Sequence, residues 1–155
     1  MDKKTSILKK IYLFQELSDD ELRHILSIAS AKSYKKEEII FKEGQKGDAF
    51  YVVLKGVVRI STDIPGMGEE ALAILKKGTY FGEMSLIDNA PRSASAISNT
   101  DTVLLKITDA NFRNLIRSDH AIAYKLLWEL VRTLSQRLRE TDAKLKNILA
   151  IAKNF

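Results

Sequence analysis

The chain has 155 residues, no cysteine and a formal net charge of +5, a length that suits one domain with a substantial core. The absence of cysteine excludes disulfides, thiol catalysis and cysteine metal sites, and the longest apolar run, residues 49–54, is far below the roughly 18 residues of a membrane-spanning helix. The lysine-rich N-terminus lacks the apolar region of a secretory signal, so we expect a cytoplasmic protein without membrane contact.

Glycine and proline are confined to the middle of the chain. All glycines lie between residues 44 and 82, and both prolines lie between residues 65 and 91. Because these residue types mark turns, the middle of the chain is predicted to form short strands and the two ends to form helices. Ser18 and Glu21 have the spacing of a capping box, which predicts that the first helix begins at residue 19.

Several segments of the middle region are predicted to be strands from their apolar and β-branched content. They are residues 32–35, 38–42, 49–55, 57–62, 70–75, 79–82, 93–98 and 102–107. A cluster of proline and glycine predicts a hairpin tip over residues 63–68. After the last strand, Thr108 is predicted to cap a short helix, and Ser118 a long one over about 119–152.

The predicted last helix carries apolar residues along one side. Steps of three and four residues separate most of them, and they are Leu127, Leu130, Leu134, Leu138, Leu145, Ile148 and Ala152. A helix of this length spans roughly 50 Å, more than a strand body of this size can cover. We therefore predict that part of the stripe meets a second copy of the chain in a homodimer. The basic residues of the same helix are interpreted as a solvated face.

Together these elements predict an α+β fold in a single domain over residues 1–155. Its centre is an antiparallel β-roll, similar to a jelly roll, over about residues 32–108. An N-terminal helix and a long C-terminal helix lie at its two ends. The chain contains no internal repeat and no flexible linker that would indicate a second domain.

The segment from residue 80 to residue 96 brings chemically complementary residues close together. Its sequence is YFGEMSLIDNAPRSASA. Gly82 lets the backbone approach a ligand and offer N–H groups. Arg92 can bind two phosphate oxygens at once, and Glu83 can accept a hydrogen bond from a ribose hydroxyl. The pattern indicates a site for a compact anion that also carries a hydroxyl group.

This segment resembles the phosphate-binding cassette of cyclic nucleotide-binding domains. That family includes catabolite-activator-type regulators, protein kinase A regulatory subunits and nucleotide-gated channels. Its pattern of Phe-Gly-Glu, small and aliphatic residues, then Arg, a small or hydroxyl residue and Ala has a counterpart at every element here. Residues 39–44 and 47–56 are similar to the family's early strands. The resemblance covers roughly residues 11–150 and implies a cyclic purine mononucleotide as ligand, with cyclic AMP expected first.

The resemblance also implies a role for individual residues. Arg92 would pair with the equatorial phosphate oxygens, and Ser85 and Ser93 would help to hold the phosphate. Backbone N–H groups of the helical turn after Gly82 would face the same anion, while Glu83 would accept from the ribose 2′-hydroxyl. The residues that correspond to positions in contact with the base are Ile60, Leu72 and Met84.

On the long helix, residues 134–142 resemble the C-terminal helix of catabolite-activator-type regulators. Thr141 falls where that family places a hydroxyl that bonds the base edge, and Asp142 replaces a more usual serine. A carboxylate accepts from guanine N1 and N2 as well as from an adenine amino group, so cyclic GMP remains an alternative to cyclic AMP. We expect the helix to close over the bound base, which would make the domain a regulatory sensor for an effector protein that the sequence does not identify.

Three other functions fit the sequence less well. A DNA-binding transcription regulator of this family would begin its winged helix-turn-helix where this chain stops, so direct DNA binding is not expected. A ligandless interaction domain is disfavoured by the intact Glu83 and Arg92. Catalysis, metal binding and a cofactor are not expected, because His24 and His120 are the only histidines and no further ligands surround them.

Overall fold

The computed structural model describes residues 3–155. In chain order its elements are α1 (Lys3–Lys9), a 3-10 turn (Tyr12–Phe14), α2 (Asp19–Ile28), β1 (Ala29–Tyr34), β2 (Ile39–Phe41), β3 (Ala49–Lys55), β4 (Val58–Ile64), β5 (Gly68–Leu75), β6 (Tyr80–Phe81), α3 (Met84–Asp88), β7 (Ser95–Ser98), β8 (Thr102–Thr108), α4 (Asp109–Ser118) and α5 (His120–Lys153). The predicted α+β class, with a long C-terminal helix, is confirmed.

Two four-stranded antiparallel sheets form the β-roll, with strand orders β1-β8-β3-β6 and β2-β7-β4-β5. Strand β3 is buried on both faces because its side chains alternate between two cores. Phe50 and Val52 pack in the core beneath the helices. Tyr51 and Val53 pack in the core between the two sheets. The fold therefore has one core between its two sheets and a second core between one of these sheets and the helices.

Helix ends follow their capping residues. The capping box is confirmed, because the Glu21 N–H donates to Ser18 Oγ and the Ser18 N–H donates to Glu21 Oε2. Thr108 caps α4 as predicted. Ser118 was predicted to cap the last helix, and this was wrong: Ser118 is the final residue of α4, and Asp119 caps α5. Only one residue separates the two helices, so the cap falls on that residue.

Two other features differ from the sequence prediction. Helix α1 and the 3-10 turn were not predicted, although Leu8 and Phe14 in them are fully buried in the main core. The predicted apolar stripe of the last helix included Leu130, which is 3% exposed and packs inside the protomer. Helix α5 thus uses one side to close the core, and its remaining apolar residues face outward.

Beyond the β-roll, α5 continues without support from the rest of the chain. Every residue from Leu138 to Phe155 is exposed. The large apolar side chains left exposed on α5 are Tyr124, Leu127, Trp128, Val131, Leu138, Leu145, Ile148, Leu149 and Ile151. None of the helices among residues 3–155 is both long and apolar enough to cross a membrane.

Candidate functional site

A cavity of about 380 Å³ lies between the β4–β5 hairpin, the segment after β6 and helix α5. Most residues predicted to bind the ligand line it, namely Ile60, Gly82, Glu83, Met84, Ser85, Arg92, Ser93 and Thr141. They come from strands, a short helix, a loop and α5, and the fold brings them to one place. Within the part of the chain that the structure describes, no group of histidine, cysteine and acidic residues could hold a metal ion.

Arg92 lies at the floor of the cavity, with 2% of its side chain exposed. Its Nη1 donates to the Gly82 carbonyl at 2.8 Å, and its Nη2 donates to the Ala49 carbonyl at 2.6 Å. The guanidinium carbon lies 4.0 Å from the centroid of the Phe41 ring, in a cation–π contact. The guanidinium is therefore held in place by backbone oxygens and an aromatic face.

The one ion-pair partner of Arg92 among residues 3–155 is an exposed carboxylate. The Asp48 carboxylate is 3.7 Å from Nη2 and 71% exposed. The buried Nε of Arg92 has no hydrogen-bond partner among residues 3–155. Burial lowers the pKa of Arg92, while the electrostatic influence of Tyr51, Asp48 and Glu83 opposes that shift. Because a buried charge is costly unless it is closely paired and hydrogen-bonded, this arrangement favours an anion in the cavity.

Two glycines keep the space around Arg92 open. Gly82 has φ +82°, a conformation that favours glycine, and a Cβ there would lie 2.8 Å from Arg92 Nη1. A Cβ at Gly47 would lie 2.1 Å from the Cβ of Ser85. Any side chain at residue 47 would therefore displace Ser85. The hydroxyls of Ser85 and Ser93 make no hydrogen bond to other described residues, so both can donate to an anion.

Glu83 lines the cavity, is buried and pairs with Arg137 of α5. Its Oε1 accepts from Arg137 Nη1 at 2.5 Å, and Arg137 Nη2 donates to the Tyr80 carbonyl at 3.1 Å. The Arg137 guanidinium carbon is also 5.7 Å from the centroid of the Tyr80 ring. Helix α5 is thus attached to the cassette at the residue that the sequence assigned to the ribose.

A second buried carboxylate, Glu129, lies further back along α5. One of its oxygens is 3.2 Å from Arg132 Nη1. The other oxygen is buried and has no hydrogen-bond partner among the described residues. Burial raises the pKa of Tyr80 above its ordinary value. The contact between α5 and β6 is therefore polar and only partly satisfied, which suits a contact that can rearrange.

Leu72, predicted to contact the base, lies outside this cavity. Its side chain is on the outer face of β5, and the residue is 54% exposed. Ala73 and Leu75 of the same strand line the cavity instead. The reason is the register, since Ile60 pairs with Ala73 and a bulge follows between Ile60 and Ser61. A one-residue change in register reverses the faces of a strand.

Asp142, the other residue predicted at the base, also lies outside the cavity of its own protomer. Thr141 lines the cavity, and the next residue is turned by about 100° around the helix axis. Asp142 is exposed and makes no hydrogen bond or ion pair within residues 3–155. The acidic residue of α5 that lines the cavity is Glu140.

The sequence prediction missed three charged residues of α5 that line the cavity: Arg137, Glu140 and Lys144. Helical periodicity was the available signal for Arg137 and Lys144, because side chains three or four residues from Thr141 share its face. The apolar lining was also incomplete. The residues not predicted there are Phe41, Ala73, Leu75, Phe81 and Ala94.

Comparison with known proteins agrees with this geometry. Residues 31–119 match the family described as "Cyclic nucleotide-binding domain". This chain belongs to that family. The cassette with Gly82, Glu83 and Arg92 lies within the matched residues, whereas α5 follows them. The resemblance predicted from the sequence is therefore confirmed, and domains of this family are regulatory rather than catalytic.

Individual relatives of this cyclic nucleotide-binding domain include named receptors and kinases. The "Cyclic AMP receptor protein" of Thermus thermophilus is 38% identical over 133 residues, which are 86% of this chain and 60% of the relative. The "cGMP-dependent protein kinase 2" of Mus musculus is 29% identical over 140 residues, 90% of this chain and 18% of the kinase. The chain thus spans well under two thirds of either relative.

A solved structure extends the comparison to the fold. The crystal structure of a cyclic nucleotide-binding domain from Methylobacillus flagellatus superposes with a TM-score of 0.80 at 30% sequence identity. The match covers 91% of this chain and 79% of that chain. The likeness therefore extends beyond the β-roll.

Proposed function

We propose that this domain reversibly binds a cyclic purine mononucleotide, with cyclic AMP as the first candidate, and that it acts as a regulatory sensor. The observation that carries the proposal is the buried Arg92 guanidinium, which faces the cavity without an anionic hydrogen-bond partner. A cyclic phosphate supplies one negative charge and two exocyclic oxygens. Those oxygens would use the free donors of Arg92 and the Ser85 and Ser93 hydroxyls.

Glu83 and Arg137 support the ribose as the second part of the ligand. Glu83 is a buried acceptor of the cassette and lines the cavity. A 2′-hydroxyl donating to its carboxylate would add to the hydrogen bond from Arg137 or replace it. The ribose would thus act on the residue pair that attaches α5 to the cassette. The ligand could shift the position of α5 in this way, provided that it binds one position more tightly.

An apolar wall supports the base. Ile60, Ala73 and Leu75 of the β4–β5 hairpin line the cavity, and Met84 lines it from α3. The names of the relatives include both cyclic AMP and cyclic GMP, so cyclic GMP remains the second candidate. A binding function is favoured over catalysis, because the described lining residues include no histidine and no metal-ligand cluster.

Isothermal titration with cyclic AMP, cyclic GMP and cyclic di-GMP tests this function. We expect saturable binding of at least one cyclic mononucleotide, with one ligand per chain and cyclic AMP the tightest. Cyclic di-GMP should bind weakly because the cavity has one phosphate site. Absence of heat and of any thermal stabilisation with all three ligands at millimolar concentration would contradict the proposal and favour a ligandless interaction domain.

We also propose that two copies associate through α5. Tyr124, Trp128, Val131, Leu138, Leu145 and Leu149 are exposed and separated by steps of three, four or seven residues. Such spacing places them on one seam of a coiled coil. This seam replaces the one predicted from the sequence, which contained the buried Leu130. Sedimentation equilibrium of the full chain should give a dimer.

We propose no effector for this sensor. Direct DNA binding by residues 3–155 is not part of the function that we propose. A gel shift on nonspecific DNA across a salt series would detect it, and a basic surface acting alone would show a steep loss with salt. We propose that the domain works in the cytoplasm, in keeping with a chain that has no cysteine.

A further inference from the structure

Helix α5 presents one row of side chains to the cavity. Arg137, Thr141 and Lys144 are separated by four and three residues, and all three line the cavity. Arg137 contacts Glu83, at the place expected for the ribose. Lys144 lies two turns further along, about 10 Å along the helix axis. It is therefore at the end of the cavity where a base attached to that ribose would lie.

The side chains at this end supply both hydrogen-bond acceptors and a hydrogen-bond donor. The Thr141 hydroxyl donates to the Arg137 carbonyl at 2.9 Å, so its oxygen is left as an acceptor. The Glu140 carboxylate accepts from Gln136 at 3.1 Å and is also an acceptor. Lys144 has three N–H donors and no acceptor. It makes no hydrogen bond or ion pair with any residue in the range 3–155.

We infer that Lys144 is a specificity residue for the base and donates a hydrogen bond to a purine ring nitrogen. Thr141 accepts from the exocyclic amino group beside that nitrogen. The adenine edge, with an amino donor between the acceptors N1 and N7, fits this pair. The inference rests on the proposed function and moves base selection from Asp142, which is outside the cavity, to Lys144.

Ring-nitrogen analogues test the assignment by isothermal titration. Cyclic AMP is compared with its 1-deaza and 7-deaza analogues, each of which lacks one ring acceptor. The parent should bind one analogue about tenfold more weakly than cyclic AMP, as for loss of one charged hydrogen bond. Lys144→Met should bind cyclic AMP about tenfold more weakly and should no longer distinguish that analogue. Lys144→Arg, which keeps the donor, should retain most of the discrimination.

Lys146 provides the matched control, because it is exposed on the same helix and does not line the cavity. Lys146→Met removes the same charge and should leave both the affinity and the discrimination unchanged. If the parent binds cyclic AMP, and Lys144→Met binds it equally well and distinguishes the analogues as the parent does, the Lys144 assignment is wrong. A parent that binds both analogues as tightly as cyclic AMP would also overturn it. Failure of the proposed function would be seen earlier, as a parent chain that binds no cyclic nucleotide, and would overturn the Lys144 assignment with it.

Discussion

The two ends of the cavity are built in different ways. At the phosphate end, Arg92 is buried and fixed by carbonyl oxygens of the β-roll. At the base end, the polar part of the lining comes from a helix whose residues beyond Arg137 are exposed without exception. The phosphate end is therefore complete once the chain has folded, whereas the base end depends on the position of α5. We expect the first to supply affinity and the second to supply the response.

The largest expected effect is the loss of cyclic AMP affinity when Arg92, at the phosphate end of the cavity, is replaced. Arg92→Ala should weaken cyclic AMP binding by about 2–5 kcal/mol, roughly 30- to several-thousand-fold, because the phosphate would be left unpaired in a desolvated site. Arg92→Lys should also be impaired, since a point charge cannot form two parallel hydrogen bonds. Both are measured by titration, with thermal melting as the check on folding.

The matched control for these substitutions is Arg117→Ala. Arg117 is an exposed arginine of α4 outside the cavity, and its replacement should leave binding unchanged. If the Arg92→Ala protein is folded and binds cyclic AMP as tightly as the parent, Arg92 does not bind the ligand.

The second-largest expected effect is on dimerisation through the exposed part of α5. Leu138 lies on the proposed seam and is 63% exposed in the protomer. Leu138→Glu should raise the dimer dissociation constant by at least about a hundredfold, because it places an unpaired charge from each copy in an apolar contact. Sedimentation equilibrium measures it. Asn147→Glu, on the opposite side of α5, should leave the dimer intact. A parent that is monomeric at every accessible concentration, with and without ligand, would end the dimer proposal.

The two ends also differ in how far the sequence predicted them. The cassette is continuous in sequence, so Gly82, Glu83, Ser85, Arg92 and Ser93 could all be predicted from one segment, and all of them line the cavity. The base end joins distant segments, and its lining depends on strand register and helix rotation. Leu72 was predicted to line the cavity, but the register of the hairpin puts it on the other face of its strand. Asp142 lies one residue beyond Thr141 and is therefore rotated out of the cavity.

The helices likewise include features that the sequence predicted and features that it did not. Capping residues predicted where α2 and α4 begin, because a cap is a local interaction of neighbouring residues. Helix α1 has no such signal in the sequence and is held by tertiary contacts of buried residues such as Leu8. The side of α5 that closes the core could not be told from the side that faces solvent, since both carry leucines at helical spacing.

A third prediction tests the residue that joins the two ends. The parent should bind 2′-deoxy cyclic AMP about ten- to a hundredfold more weakly than cyclic AMP, because a hydrogen bond to the Glu83 carboxylate is lost. Glu83→Ala should largely abolish that difference, and Glu83→Gln should keep part of it, since an amide oxygen still accepts. Titration of both ligands against the three proteins measures it. Equal binding of the two ligands by the parent would exclude Glu83 from ribose recognition.

The smallest expected effect tests the space beneath the phosphate site. Gly47→Ala places a Cβ 2.1 Å from the Ser85 Cβ, so the cassette must shift, at a cost of about 1–3 kcal/mol in the free energy of unfolding. We expect weaker cyclic AMP binding as well, because Ser85 moves. Gly66→Ala, in open space at the hairpin tip with φ +81°, should lower stability through its backbone alone and leave binding unchanged. Equal binding by both variants would mean that Ser85 does not contact the ligand.

Hydrogen exchange with and without saturating cyclic AMP tests most directly whether one end is preformed and the other responds. The backbone amides of β3 (Ala49–Lys55) should exchange at the same rates in both conditions. The amides of α5 from residue 138 onward should exchange more slowly when the ligand is bound, at matched protein concentration. Unchanged exchange throughout α5 in a protein shown to be saturated with ligand would contradict the account, because the base end would then be as preformed as the phosphate end.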